Sequence, residues 1–255
     1  MTTRDLKTAL VTGAGQRIGR AMAVALAEDG WAVAVHHHRS ADPANRVVEE
    51  IEESGGSAFA IGCDLTREDE VATLVPRCVD RLGPLGLLIN NASVFEHDEA
   101  LTVTRATWQA HMETNLRAPF VLSQGFAAQL PPAAEGNIVN IVDQRVWNLT
   151  PHFISYTLSK AGLWTLTQTL ALALAPRIRV NAIGPGPTLP SPHQTAAQFA
   201  QQCDSMPLGR GATPDDIVAA LRYILGAGAV TGQLIAVDGG QHLCWAPSDQ
   251  HAPED

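Results

Sequence analysis

Residues 8–19 read TALVTGAGQRIG, and this stretch decides the fold. A short β-rich apolar run is followed at once by Gly13, Gly15 and Gly19, and then by a helical pattern that begins near Ile18 and runs to Glu28. Glycines at a strand-to-helix turn let the backbone approach a pyrophosphate, whose charge the helix N-terminus then favours. An ordinary glycine-rich connection would read the same way, so the rest of the chain has to decide. Outward from this turn, strands are predicted over 8–11, 32–36, 58–63, 85–90, 137–142, 178–182 and 234–237. Helical patterns start near Ile18, Pro43, Glu68, Arg105, Ser155 and Pro214. The alternation predicts βαβ units around a parallel sheet, and unbroken apolar runs such as 138–142 suit strands buried on both faces.

The 255 residues, 45% hydrophobic and 17% charged, suffice for one α/β domain with a large core. A net charge of −9 with no Lys/Arg cluster argues against a nucleic-acid partner. No apolar run is long enough to span a bilayer, which argues against a membrane partner. Residues 1–7 are polar and lead directly into the first strand, so a cytoplasmic protein is expected. Cys63, Cys78, Cys203 and Cys244 are scattered without a CxxC pair and are expected to be reduced. One domain is expected over 1–246, with a proline-rich substrate loop at about 184–211 and an acidic, fraying tail at 247–255.

The second βα turn points to the cofactor. A site for NAD usually places an acid after the second strand, yet here the strand ends in His36, His37, His38, Arg39 and Ser40, with no acid before Asp42. Arg39 can fork onto a 2′-phosphate, Ser40 can donate to it, and Arg17 can add a second charge, so NADPH is the expected cofactor. Three consecutive histidines do not predict a metal, because neighbours on a strand face opposite sides. Asp64-Leu65, after the third strand, could border an adenine, and Asn91-Ala92, after the fourth, a ribose. Tyr156 and Lys160, four apart at the start of an apolar helix, share one face. A nearby ammonium would favour the phenolate and ease proton exchange at Tyr156.

In this order the motifs resemble the short-chain dehydrogenase/reductase family over nearly the whole chain. They are the loop at 12–19, Asn90-Asn91-Ala92, Asn115, Tyr156 with Lys160, Pro185-Gly186, and Val237-Asp238-Gly239-Gly240. The resemblance implies a single doubly wound, Rossmann-type domain with a seven-stranded parallel sheet. It implies Tyr156 as general acid, Lys160 as the residue that holds the nicotinamide ribose, and Asn115 as support for a proton-relay water. It also implies cofactor contacts from Gly13, Ile18, Gly19, His36, His38, Pro185 and Gly186, and a homodimer or homotetramer. The apolar positions Leu163, Leu166, Leu170 and Leu174 are read as surface for such a contact.

Two departures narrow the substrate. Where the family carries a serine thirteen residues before the tyrosine, this chain has Asp143. A carboxylate about 4 Å from a developing alkoxide would oppose it by roughly 4 kcal/mol at an effective dielectric near 20. A C=N bond can instead be protonated at nitrogen as hydride arrives, which an aspartate assists. Arg17 in place of a glycine, the run from His36 to Ser40, and Asn91-Ala92-Ser93-Val94-Phe95 resemble the pteridine reductase branch. By that resemblance Ser93 contacts cofactor and substrate, and Phe95 stacks on a flat ring. The leading expectation is reduction of a pterin or dihydropterin, with dihydrofolate or another cyclic imine suiting the same inner residues. A carbonyl reductase and a non-catalytic NADP(H)-binding regulator are the alternatives.

Overall fold

The computed structural model describes residues 6–191 and 194–244, and its strands share their side chains between two apolar layers. The strands are β1 (Thr8–Val11), β2 (Ala32–His37), β3 (Ser57–Gly62), β4 (Leu87–Asn90), β5 (Gly136–Ile141), β6 (Ile178–Pro185) and β7 (Leu234–Val237). They form one parallel sheet in the order β3-β2-β1-β4-β5-β6-β7. Pairing of Leu10 with Ala34 and with Leu88 puts these three residues in one layer. Ala9, Val11, Val33, Val35, Leu87 and Ile89 fall in the other, as the two-residue period of a strand requires. Helices α1 (Arg17–Glu28), α2 (Ala41–Glu53) and α8 (Pro214–Gly226) cover one face. Helices α3 (Glu68–Leu82), α5 (Ala118–Gln129) and α6 (Ile154–Leu174) cover the other, and α4 (Arg105–Met112) packs on α6. Both faces of the sheet are therefore dry, and the fold is the doubly wound α/β domain expected from the sequence.

Strand order reverses between β1 and β4, which opens a crevice at their carboxyl ends. The glycine turn, the segment after β4 and the start of α6 all arrive at this point.

Three sequence expectations change. The pattern that begins at Arg105 is interrupted by a π-helical turn, Glu113–Arg117, before α5 continues it. The 184–211 segment is not irregular throughout, since β6 runs on to Pro185 and α7 (Ala196–Asp204) forms inside it. Thr195 caps α7 through a reciprocal box with Gln198. Leu163 and Leu170 face the core and not a partner, and Leu166 and Leu174 pack partly against it. The tail expected at 247–255 lies outside the described residues. Among the described residues no helix is long and apolar enough to cross a membrane.

Candidate active site

The glycine turn is held from both sides. Gly13 has φ +63°, a conformation side chains rarely adopt, and an added Cβ would lie 2.9 Å from the Ala92 backbone. Its N–H donates to Nδ1 of buried His36 at 3.1 Å, and its carbonyl accepts from Nδ2 of Asn91 at 3.1 Å. The other ring nitrogen of His36 lies 3.1 Å from the Cys63 carbonyl. His36 is therefore neutral with its proton on Nε2, and burial pushes its pKa down to about 4. The Thr12 hydroxyl accepts from the backbone N–H groups of Asn91 and Ala92. Helix α1 then starts with no side-chain cap and no acid in its first turn, whereas α3 opens with Glu68, Asp69 and Glu70. The N–H donors of α1 are thus open to an anion, which is the donor set a pyrophosphate needs.

A cleft of about 810 Å³ runs from this turn to Tyr156 and is bordered by Gly13, Arg17, Ile18, Gly19, His36, His38 and Arg39 at one end. Asp64, Leu65, Asn91, Ala92, Ser93 and Phe95 follow along it, then Asp143, Tyr156, Lys160, Pro185 and Gly186. Arg39 is exposed at the second βα turn, with Ser40 beside it at the N-cap of α2, outside the cleft lining. His38 Nε2 lies 3.4 Å from Asp64, whose other oxygen accepts from Thr66. Arg17 does not turn toward Arg39. It takes a left-handed φ of +55°, and its guanidinium donates to the carbonyls of Leu189 (3.1 Å) and Pro190 (2.8 Å). Left-handed backbone at a non-glycine residue costs about 1–2 kcal/mol, which is the reason a glycine suits this position.

At the other end the phenol of Tyr156 donates to Oδ2 of Asp143 at 2.9 Å. Burial, followed by the Asp143 carboxylate, pushes the Tyr156 pKa well above its ordinary value, while Arg145 and a hydrogen bond with Ser93 pull it down. The buried Lys160 ammonium donates to the Ile141 carbonyl at 2.8 Å and lies 5.7 Å from the Tyr156 ring centre. Its own pKa falls to about 8 through burial, against an upward pull from Asp143. Tyr156 is thus a protonated phenol at neutral pH, in the state of an acid.

Asn115 lies on the π-helical turn between α4 and α5. Its side chain is fully buried in the π-helical turn, outside the cleft lining, and is taken up by the backbone N–H and carbonyl of Val94 and by Ser159. It braces the segment that carries Phe95.

Two features of the site were not read from the sequence. Arg145, two residues after Asp143, places its guanidinium 3.5 Å from the Asp143 carboxylate and 5.5 Å from the Phe95 ring centre. Phe153, at the N-cap of α6 with φ +58°, stacks on Phe95 at 4.5 Å and 10° between planes. Phe95 in turn meets Tyr156 edge-on at 4.7 Å. Because Phe153 has no capping oxygen, Asp98 serves instead. Its carbonyl accepts from the Phe153 N–H at 2.7 Å and its carboxylate from the Ser155 N–H at 3.2 Å. The Ser155 hydroxyl also donates to Asp98, and Nδ1 of His111 contacts that hydroxyl at 2.7 Å. The Glu96 N–H donates to the other nitrogen of His111, so the His111 proton sits on Nδ1. This buried chain fixes the helix end from which Tyr156 projects.

The sequence profile described as short chain dehydrogenase matches residues 7–201. A 3-oxoacyl-[acyl-carrier-protein] reductase, FabG, of Staphylococcus epidermidis is 34% identical over 242 residues, covering 93% of this chain and 99% of the relative. FolM alternative dihydrofolate reductase 1 from Brucella canis, solved in complex with NADP, superposes with a TM-score of 0.93 at 45% identity. That match covers 98% of this chain and 100% of the other. A blue fluorescent protein from a metagenomic library, solved with NADPH, gives a TM-score of 0.84 at 30% identity over 94% of this chain and 99% of its own.

Proposed function

Because the chain belongs to the short-chain dehydrogenase family, we propose that it is an NADPH-dependent reductase acting on a C=N bond of a pterin-like heterocycle. The observation that carries this reading is the Tyr156 hydroxyl donating to Asp143 at 2.9 Å. A carboxylate has only acceptors, so it has no hydrogen bond to offer a ketone oxygen. An N–H-bearing or amino-bearing ring, by contrast, gives Asp143 a donor to hold while Tyr156 delivers its proton to the ring nitrogen. Phe95, backed by Phe153, supplies a flat apolar wall for such a ring. The 45% identity to an alternative dihydrofolate reductase supports the same substrate class.

NADPH fits the residues present and, when bound, supplies the hydride. The open N-terminus of α1 would hold the pyrophosphate, Arg39 and Ser40 the 2′-phosphate, and Lys160 the nicotinamide ribose. Ile18, Asn91, Ala92 and Ser93 would border the rest, with Pro185 and Gly186 closing the nicotinamide end. The reading is of a cytoplasmic homodimer or homotetramer, with exposed Leu158 and Leu172 of α6 as apolar surface for a second copy.

Carbonyl reduction is the second reading. Arg145 offsets part of the Asp143 charge, and the 34% identical relative is a 3-oxoacyl reductase. The two separate in one assay, which follows NADPH absorbance with dihydrobiopterin-like compounds, dihydrofolate and ketones side by side. Dihydropterin or dihydrofolate turnover is expected, falling about a hundredfold or more in Asp143→Ser. Turnover of ketones alone, or an Asp143→Ser variant as fast as the parent, would overturn the assignment. NADPH binding without turnover of any of them would favour a regulator.

A further inference from the structure

Three residues beside Phe153, outside the cleft lining, play no part in the chemistry above. In the stretch His97-Asp98-Glu99, Asp98 is buried while His97 and Glu99 turn to the surface. There they meet His152, from the segment that precedes α6. Nε2 of His97 lies 3.9 Å from Oε1 of Glu99, and Nδ1 of His152 lies 3.3 Å from the same oxygen. All three donor atoms fall within 4.8 Å of one another. The His152 nitrogen is shielded from solvent and makes no hydrogen bond, although it faces the carboxylate. His97 stands edge-on to Phe153 at 5.0 Å.

We propose that His97, Glu99 and His152 form a binding site for a Zn²⁺-like divalent cation. Two imidazoles and one carboxylate suit borderline first-row ions, whereas Mg²⁺ and Ca²⁺ prefer oxygen donors throughout. Bonds of about 2.0–2.1 Å in a tetrahedral site place donors roughly 3.4 Å apart. The His152–Glu99 separation already matches that spacing, and rotation of the exposed His97 side chain closes the rest. A cation here ties the segment carrying Phe95 to the segment carrying Phe153, so occupancy stiffens the aromatic wall from outside the cleft.

Untagged full-length protein, stripped with a chelator, is titrated with Zn²⁺, Co²⁺ and Mg²⁺ by calorimetry. One Zn²⁺ per chain is expected, with no Mg²⁺ heat and with the visible absorption bands of tetrahedral Co²⁺. His97→Ala, His152→Ala and Glu99→Gln should each weaken Zn²⁺ binding at least tenfold, with the circular dichroism spectrum unchanged. Absence of saturable one-to-one binding overturns the site. So does an unchanged affinity in the His97→Ala/His152→Ala double variant, which would place any bound zinc elsewhere.

Discussion

The Asp143 carboxylate is engaged by three groups, the Arg145 backbone N–H at 2.8 Å, the Tyr156 phenol at 2.9 Å and the Arg145 guanidinium at 3.5 Å. A charge count made from the sequence has Asp143 alone and assigns its full repulsion to a developing alkoxide. With a cation beside it, the distinction between substrates rests more on hydrogen bonding, because the carboxylate stays an acceptor whatever its net field. Lys160 and Tyr156 titrate apart for a related reason. Burial drives the ammonium pKa down to about 8, while burial and Asp143 drive the phenol upward. Above pH 8 Lys160 loses its charge before Tyr156 loses its proton. The alkaline limb of kcat/KM for NADPH should therefore fall with an apparent pKa near 8, measured on the free enzyme. A limb at 10 or higher would assign the loss to Tyr156 instead.

Among the elements, the glycine turn and the start of α6 depend on buried polar groups that pattern reading does not reveal. His36 accepts from Gly13 only while Nδ1 is unprotonated. Its pKa is about 4 when folded and 6.5 when free, so the unfolded chain binds the extra proton first as pH falls. Its contribution is complete above pH 6.5 and is lost as pH falls to about 4, up to roughly 3 kcal/mol for the 2.5-unit difference. His36→Asn keeps an acceptor near Gly13 but cannot titrate. Its urea midpoint should fall less between pH 7 and pH 5 than that of the parent, and equal falls would refute the linkage. Strands were legible because both faces are dry, Tyr156 and Lys160 from their spacing, and Asp143 from the family resemblance alone. Phe153 was not, since a phenylalanine in left-handed backbone breaks the N-cap rule and Asp98 replaces the missing oxygen from another segment. Arg145 follows Asp143 in a 3₁₀ turn whose geometry the bare sequence does not specify. Helix α7 could have been found, because Thr195 and Gln198 carry the spacing of a capping box.

Across the whole molecule, the reversal of strand order between β1 and β4 gathers distant segments at one crevice. The sequence supports the existence of parallel strands but holds no local signal for their order, which depends on how each connection packs. One link in this gathering is Arg17, whose guanidinium reaches across 172 and 173 residues to hold Leu189 and Pro190. Both ends of that link border the cleft, so it works as a strap over whatever lies between the glycine turn and the proline-rich segment. A strap of this kind controls residence time. A dinucleotide seated under it would leave only when both hydrogen bonds open. Arg17→Gly suits the local backbone and removes the strap, and the stopped-flow off-rate of NADPH should rise about tenfold, the equivalent of ~1.4 kcal/mol. An unchanged off-rate would show that the passage of cofactor is timed elsewhere. If the strap holds, the time a cofactor stays bound is set at Arg17, a residue that carries none of the chemistry proposed at Tyr156 and Asp143.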